Sequence, residues 1–334
     1  MENNFSETDI RPSSLEKGQS EAINEDVKWL NDRSSKFINV NCPACDKSDH
    51  SAEFTKEGLK YVKCSYCDTV YVNPRPDADL LSEFYKRSKV YEYWSKNVYS
   101  ATSDKRKKFL FRPRAKLLIE KCKKANFIGG NILEIGSSSG FFLEEVSKLN
   151  FFDDIIGIEP TPDQAKASKS KGITTYNMPY QSFHSKSKFT AIASFETIEH
   201  LYSPYEFLLW VKKYLKKGGY IMITCPNYGG IEPSALTSES GCVDHEHLNY
   251  FSPSSFRILA HRAGFNNIEI TTPGSLDVDI LSKAIEGNKD NKEKVGNFLT
   301  DILSSGNKNL LQNFQEFLKK YKLSSSMLVV AQKS

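Results

Sequence analysis

No segment of the chain carries the roughly 18 consecutive apolar residues that a membrane-spanning helix needs. The opening stretch, MENNFSETDIRPSSLEKG, lacks the apolar run of a signal peptide. The expectation is therefore a cytoplasmic protein without a transmembrane segment. Neither sign of charge dominates: 45 Lys and Arg stand against 41 Asp and Glu, a formal net charge of +4. That balance is too weak to imply a nucleic acid partner by itself. Seven cysteines do not divide into disulfide pairs, which speaks against a secreted, cross-linked scaffold. Internal repeats and low-complexity tracts are missing too.

What is present falls into four parts. Residues 1–36 are polar and acidic and read as a mobile arm with a short helix near Ile23–Leu30. Residues 37–75 hold the paired cysteines. Residues 76–128 read as a helical linker or cap, with a basic stretch from Lys105 to Lys124. Residues 129–334 alternate short β-branched runs with helical patterns, the signature of βαβ units around a parallel sheet. Strands are expected near 131–135, 154–158, 173–176, 189–194 and 219–225, with helices near 139–149, 161–170 and 203–216. Two later strands, NNIEITT and SSMLVVAQ, flank a helical insertion at about 277–322.

The motifs CPAC and CSYC place Cys42, Cys45, Cys64 and Cys67 as two C-x₂-C pairs. Their separation is that of a four-thiolate zinc ribbon. Four ligands fill a tetrahedron, so the expected Zn²⁺ is structural. It supplies folding energy that so small a module cannot draw from its own core. Cys122, Cys225 and Cys242 show no such spacing.

Residues 132–142, ILEIGSSSGFF, run from an apolar strand through a Gly–Ser loop into a helix. Gly136–Gly140 fits the G-x-S-x-G elbow of hydrolases. Yet this is the first strand of its sheet, whereas an elbow serine follows several strands. A different explanation fits Glu159, at the end of the next strand and about 20 residues beyond the glycines: an acid there accepts both hydroxyls of an adenosine ribose. A dinucleotide would want a glycine where Phe141 stands, and Phe141 and Phe142 crowd the approach of a pyrophosphate. A phosphate-free adenosine cofactor, such as S-adenosylmethionine (SAM), makes no such demand.

The ordered set NILEIGSSSGFFLEEV, Glu159 and FTAIASFETIEHLYSPYEFLLWVKKYLKKGGYIMITCPN resembles the class I SAM-dependent methyltransferases. With the cysteine ribbon and YVNPRPDADLLSEFY, the chain is similar to bacterial methyltransferases of sugar and surface-polysaccharide pathways. The resemblance implies an α/β, Rossmann-like seven-stranded sheet, six strands parallel and one antiparallel, with helices on both faces and a small N-terminal zinc ribbon. It implies that Glu134, Gly136, Ser138 and Gly140 surround the methionine part of SAM. Ser138 stands where the family usually has glycine. Glu159 should hold the ribose with Pro160 beside the adenine, and Met178 and Pro179 should flank the adenine edge. Phe195 and Glu196 should face the sulfonium.

Residues 226–252 read as a long loop over the carboxyl edge of the sheet, where ligands bind. It contains VDHEHLNYFS; if this is extended, His245 and His247 point to one side. The segment resembles the HEHLxYFS element of zinc-containing sugar C-methyltransferases, in which a histidine near this point acts as base. Asp244 stands where those enzymes carry a tyrosine, and their large C-terminal domain is missing here. The expectation is His247 as general base, His245 second, and Tyr250 shaping the pocket. A metal bound by Asp244, His245 and His247 is a lesser alternative. His200 is assigned to the cofactor edge. The expected activity is methyl transfer to a carbohydrate, a nucleotide-linked sugar or a surface glycan, most simply at oxygen. Alternatives are a sugar C-methyltransferase, an RNA methyltransferase or a non-catalytic SAM-binding scaffold. The Asn/Asp-Pro-Pro-Tyr motif of base-amino methylation is absent after the fourth strand.

Overall fold

The computed structural model describes residues 5–334. In chain order its main elements are α1 (Glu16–Asn31), the strands β1 (His50–Lys56), β2 (Leu59–Cys64) and β3 (Val70–Val72), α2 (Ala78–Arg87) and α3 (Arg112–Lys124). Then follow β4 (Asn131–Ile135), α4 (Phe141–Ser147), β5 (Asp154–Ile158), α5 (Pro162–Lys169), β6 (Thr174–Tyr176), β7 (Phe189–Phe195), α6 (Pro204–Tyr214) and β8 (Leu215–Pro226). The chain closes with β9 (Asn249–Tyr250), α7 (Pro253–Arg262), β10 (Asn267–Thr271), several helices and β11 (Ser326–Gln332).

The main sheet runs β10-β11-β8-β7-β4-β5-β6. β11 is antiparallel to both neighbours, and the other six strands are parallel to one another. This is the expected Rossmann-like sheet. Because successive strand residues face opposite ways, one set of side chains feeds each helical layer. Ile132, Ala191, Ala193 and Met222 pack with Leu118 and Ile119 of α3 and Phe142 and Val146 of α4. Leu133, Ile135, Ile192, Ile221 and Ile223 pack with Phe207 and Val211 of α6 and Phe256 and Leu259 of α7. Each fully buried Leu, Ile, Val, Phe or Met among them contributes roughly 1.5–3 kcal/mol. The order of strands reverses between β4 and β7, and in sheets of this kind ligands bind in the crevice at the carboxyl ends of the strands there.

The front of the chain differs from the expectation. Its first four residues lie outside the described residues. The helix expected near Ile23–Leu30 spans Glu16–Asn31, and the segment is packed rather than a free arm. Asp26 is the reason. It is fully buried, and its carboxylate accepts hydrogen bonds from Ser88 Oγ (2.7 Å) and from the backbone N–H groups of Lys89 and Val90 (both 3.0 Å). A carboxylate at the first turn of a helix suits the exposed N–H groups there.

The cysteine module is not self-contained either. Its sheet has four strands in the order β9-β3-β2-β1. The edge strand β9 comes from the far end of the segment expected as one long loop, pairing Asn249 with Tyr71 and Tyr250 with Val70. That segment also contains a short helix, Ile231–Leu236. Arg75, 1 % exposed, bolts the junction: its guanidinium donates to the carbonyls of Val72, Tyr202 and Leu248 and to Asn249 Oδ1.

Candidate active site

The chain leaves β4 through a bend with left-handed residues at Gly136 (φ +72°), Ser138 (φ +48°) and Gly140 (φ +76°). A Cβ on Gly136 would meet Thr197 Oγ1 at 2.6 Å, and one on Gly140 would meet Ser168 Oγ at 2.5 Å. Both positions therefore need glycine for conformation and for space. Ser138 occupies the same left-handed region at some cost, offset by two bonds. Its Oγ donates to Gln164 Oε1 (2.6 Å) and its N–H to Glu159 Oε2 (2.8 Å).

The other oxygen of Glu159 accepts from Thr161 N–H at 2.8 Å. Two backbone donors thus aim this carboxylate from the tip of β5. Burial raises its pKa, and the two N–H groups act against the rise. Met178 is half-buried, packed against the core, whereas Pro160 and Pro179 are exposed. Asn177 ties the two strand tips by donating to the carbonyls of Glu159 and Pro160, both at 2.9 Å.

On the other side of the bend, Glu134 is buried and its Oε2 has no hydrogen-bond partner. Burial pushes its pKa well up, the charge of Glu159 adds to this, and Arg114 opposes it. Arg114 lies on α3 with its guanidinium over the Phe195 ring, 4.9 Å from the centroid. Glu134 and Glu196 are the anions it feels. Phe195 itself packs edge-on against Phe142 at 4.8 Å, so it belongs as much to the core as to the crevice. Glu196, exposed at the end of β7, accepts from Thr224 Oγ1 at 2.6 Å.

Past β7 the chain makes a tight turn, Ile198–His200, and the segment around Asp244 folds onto it. The rings of His200 and His247 stand 4.5 Å apart. His200 Nδ1 is 3.0 Å from the carbonyl of Glu246, and His247 Nδ1 is 2.8 Å from that of Cys242. A carbonyl can only accept, so each Nδ1 carries hydrogen and each Nε2 of the neutral ring keeps a lone pair. Burial, reinforced by the proximity of His247, pushes the His200 pKa down to about 3. Glu199 is fully buried, with neither carboxylate oxygen partnered. Burial, then the charge of Glu196, drives its pKa well up.

Two expectations need correction here. His245 and His247 do not point the same way. Asp244 Oδ1 accepts from the N–H groups of both Glu246 (2.9 Å) and His247 (3.0 Å), closing a turn where extended chain was expected. His245 consequently faces the ribbon side, 3 % exposed, packed edge-on against Phe84 and with its Nδ1 3.5 Å from Glu57. Asp244, His245 and His247 therefore form no common ligand set. Tyr250 is fully buried, its hydroxyl bonded to the backbone N and O of Asp244, and Tyr61 donates to the same carbonyl. It shapes the turn that presents His247. His200, expected at the cofactor edge, stands against His247, while Glu199 and Arg114 escaped the sequence reading. Their signals were ETIEH directly after the fourth strand and an arginine within a basic run whose other members, such as Lys116 and Lys123, face solvent.

The four motif cysteines are buried and unpaired in disulfides. Their sulfurs lie together, with Cys42 3.5 Å from Cys67 and Cys45 3.5 Å from Cys64. Both knuckles repeat one backbone pattern: Asp46 donates to Cys42 O and Asp68 to Cys64 O, each aspartate left-handed. The separations come close to the edge of a tetrahedron with bonds of about 2.3 Å. The donor set fits a soft dication.

A family model described as "Methyltransferase domain" matches residues 103–270, half of the chain. The chain belongs to this family. It is a SAM-dependent methyltransferase. No curated protein matches its sequence. Among solved structures, a SAM-dependent methyltransferase from Thermotoga maritima is 16% identical, covering 72% of this chain and 98% of its own, with a TM-score of 0.41. The plantazolicin methyltransferase BpumL, bound to a triazolic desmethylPZN analog and SAH, is 21% identical over 70% of this chain and 89% of its own, with a TM-score of 0.46. A SAM-dependent methyltransferase from Clostridium acetobutylicum is 10% identical over 71% and 100%, with a TM-score of 0.47. Among the described residues of this methyltransferase, no helix is long and apolar enough to cross a membrane.

Proposed function

We propose that this methyltransferase places the methyl group of SAM on a hydroxyl of a carbohydrate, a nucleotide-linked sugar or a growing surface glycan. The observation that carries the reading is the histidine pair beside the switch-point crevice. His200 and His247 each spend Nδ1 on a carbonyl and keep Nε2 free. In the transfer, the acceptor oxygen attacks the methyl carbon in line with the departing sulfur. The O–CH₃ bond forms as the CH₃–S bond breaks, and the sulfonium becomes a neutral thioether. Positioning supplies much of the acceleration. The hydroxyl proton must leave as well, and His247 Nε2 is the group we assign to receive it.

For the cofactor, Glu159 fits the ribose hydroxyls, already held in an accepting orientation. Glu134, with its unpartnered oxygen, fits the ammonium of the methionine tail, and Arg114 fits its carboxylate. Pro160, Met178 and Pro179 border the adenine, and Phe195 and Glu196 face the sulfonium. The four cysteines hold a structural Zn²⁺. The preference for a carbohydrate rests on the sequence resemblance of the HEHLNYFS segment and the ribbon to sugar methyltransferases.

The test is to incubate the protein with methyl-labelled SAM and a metabolite extract from cells lacking it, then to identify labelled products by mass spectrometry. A labelled O-methyl sugar or glycan supports the reading. Label only in RNA, or in a carbon-methylated sugar, overturns it.

A further inference from the structure

Three ligand-type side chains meet at the acceptor edge of the crevice: Glu199, His200 and His247, whose nearest donor atoms all lie within 4.8 Å of one another. Each is prepared in a way that proton transfer alone leaves unexplained. Both imidazoles are fixed by a backbone carbonyl on Nδ1, at 3.0 Å for His200 and 2.8 Å for His247. Metal-binding histidines are oriented in this manner, with the second nitrogen tied to a carbonyl and the lone pair of the first directed to the ion. Glu199 is 0 % exposed, yet neither of its carboxylate oxygens has a hydrogen-bond partner. A buried carboxyl oxygen without a donor is costly. One positive ion would satisfy all of this at once.

We infer that Glu199, His200 and His247 bind a first-row divalent transition-metal ion whose open coordination positions face the crevice and take the acceptor hydroxyl. Two imidazoles and one carboxylate leave room for oxygen ligands from substrate and water. The inference rests on the proposed O-directed transfer and changes one role within it. With the ion bound, His247 is a ligand, and the metal, by lowering the pKa of the coordinated hydroxyl, does the work assigned above to a ring nitrogen. The O–H bond then breaks with release of the proton to water, the oxygen attacks the methyl carbon, and the C–S bond breaks toward sulfur. His245 stays outside the set. The thiolate ribbon is a separate site with a different preference: four soft sulfurs disfavour Mn²⁺.

That difference makes the test clean. The full-length protein, its ribbon left intact, is titrated with Mn²⁺ and free ion is read by electron paramagnetic resonance. About one bound equivalent is expected, with nitrogen couplings from imidazole in the pulsed spectrum. Glu199→Gln and His200→Asn should each lower Mn²⁺ affinity at least tenfold, with SAH binding as the check that the fold survives. Wild-type protein that binds no Mn²⁺, or variants that keep both its affinity and its nitrogen couplings, would overturn the site. Turnover distinguishes the two readings. If His247→Ala stops methylation while chelator-treated wild type keeps its full rate, the base stands and the metal falls. If chelation stops methylation and Mn²⁺ restores it, the metal stands. If Mn²⁺ binds as described and no carbohydrate is methylated, the acceptor class falls and the metal site remains.

Discussion

Val70 of the cysteine ribbon and Tyr250 of the histidine segment are register partners in one antiparallel ladder. The relationship makes the ribbon part of the site. Tyr250, held there, bonds the backbone of Asp244, and Asp244 folds the turn that carries His247. A Zn²⁺ bound in the ribbon as proposed would act through a strand, a tyrosine and a turn on His247.

The first prediction follows from that chain. A thiolate zinc site supplies on the order of 10 kcal/mol of folding free energy, so Cys64→Ser should leave the ribbon unfolded. Hydrogen exchange should then rise across residues 242–250 while the Gly136–Gly140 bend stays protected, and turnover should fall while SAH binding persists. Unchanged exchange in 242–250 would detach the ribbon from the site.

Arg75 offers a sharper probe of the same junction. Its guanidinium serves three carbonyls and Asn249 Oδ1 while fully buried. Arg75→Ala strands these acceptors and opens a cavity, for a loss of about 3–5 kcal/mol. Arg75→Lys should recover only part of this, since an ammonium cannot reproduce the planar fork. Urea midpoints of the three proteins check the order; a neutral Arg75→Ala would refute it.

Much of this architecture was legible because it is periodic. β-Branched runs between helical patterns gave the first four strands of the sheet to within a residue and the fifth all but its start, which lies at Leu215 rather than 219, and C-x₂-C spacing gave the cysteine cluster. The crevice was half legible: Gly136, Gly140 and Glu159 carry local signals. What stayed hidden depends on partners distant in sequence. Asp26 looks like a surface acid until Ser88, Lys89 and Val90 are brought to it. Two residues of strand, Asn249–Tyr250, are too short for any alternation to register. And Asp244 closing a turn onto Glu246 and His247 reversed the one geometric assumption, extended chain, that had put His245 and His247 side by side.

A pH dependence follows from Glu159. Its pKa is raised above the ordinary 4.5, chiefly by burial. The ribose hydroxyls require an ionised acceptor, so SAH affinity should fall as pH drops, beginning above 4.5. For the ligand-free protein the sign is opposite. A folded pKa above the unfolded one means that the folded state binds the proton more readily, so this group's contribution to stability is full below 4.5 and is lost as pH rises through the raised value. Calorimetry with SAH from pH 8 to 5 checks the first part. Glu159→Gln should weaken SAH by about 2–3 kcal/mol, roughly 30- to 150-fold, and remove the pH dependence. A variant that retains the slope would assign it to another group.

The two histidines of the HEHL segment should separate cleanly in function. His247 shares the crevice with His200, whereas His245 is packed on Phe84 with neither ring nitrogen hydrogen-bonded. His245→Phe replaces a ring by a ring but gives up the 3.5 Å approach to Glu57, whose Oε2 is itself buried. Its stability should fall by about 1–3 kcal/mol, while its turnover stays within about threefold of wild type. His247→Ala should lower turnover by about 10²-fold or more while SAH affinity stays near wild type, because the His247 ring contacts His200, Tyr250 and Asp244 rather than Glu134, Glu159 or Arg114. The decisive result is the ratio of the two rates measured with one acceptor. Equal losses in both variants would mean that the turn at Asp244 moves in solution, and that the assignment of His247 alone to the reacting edge is wrong.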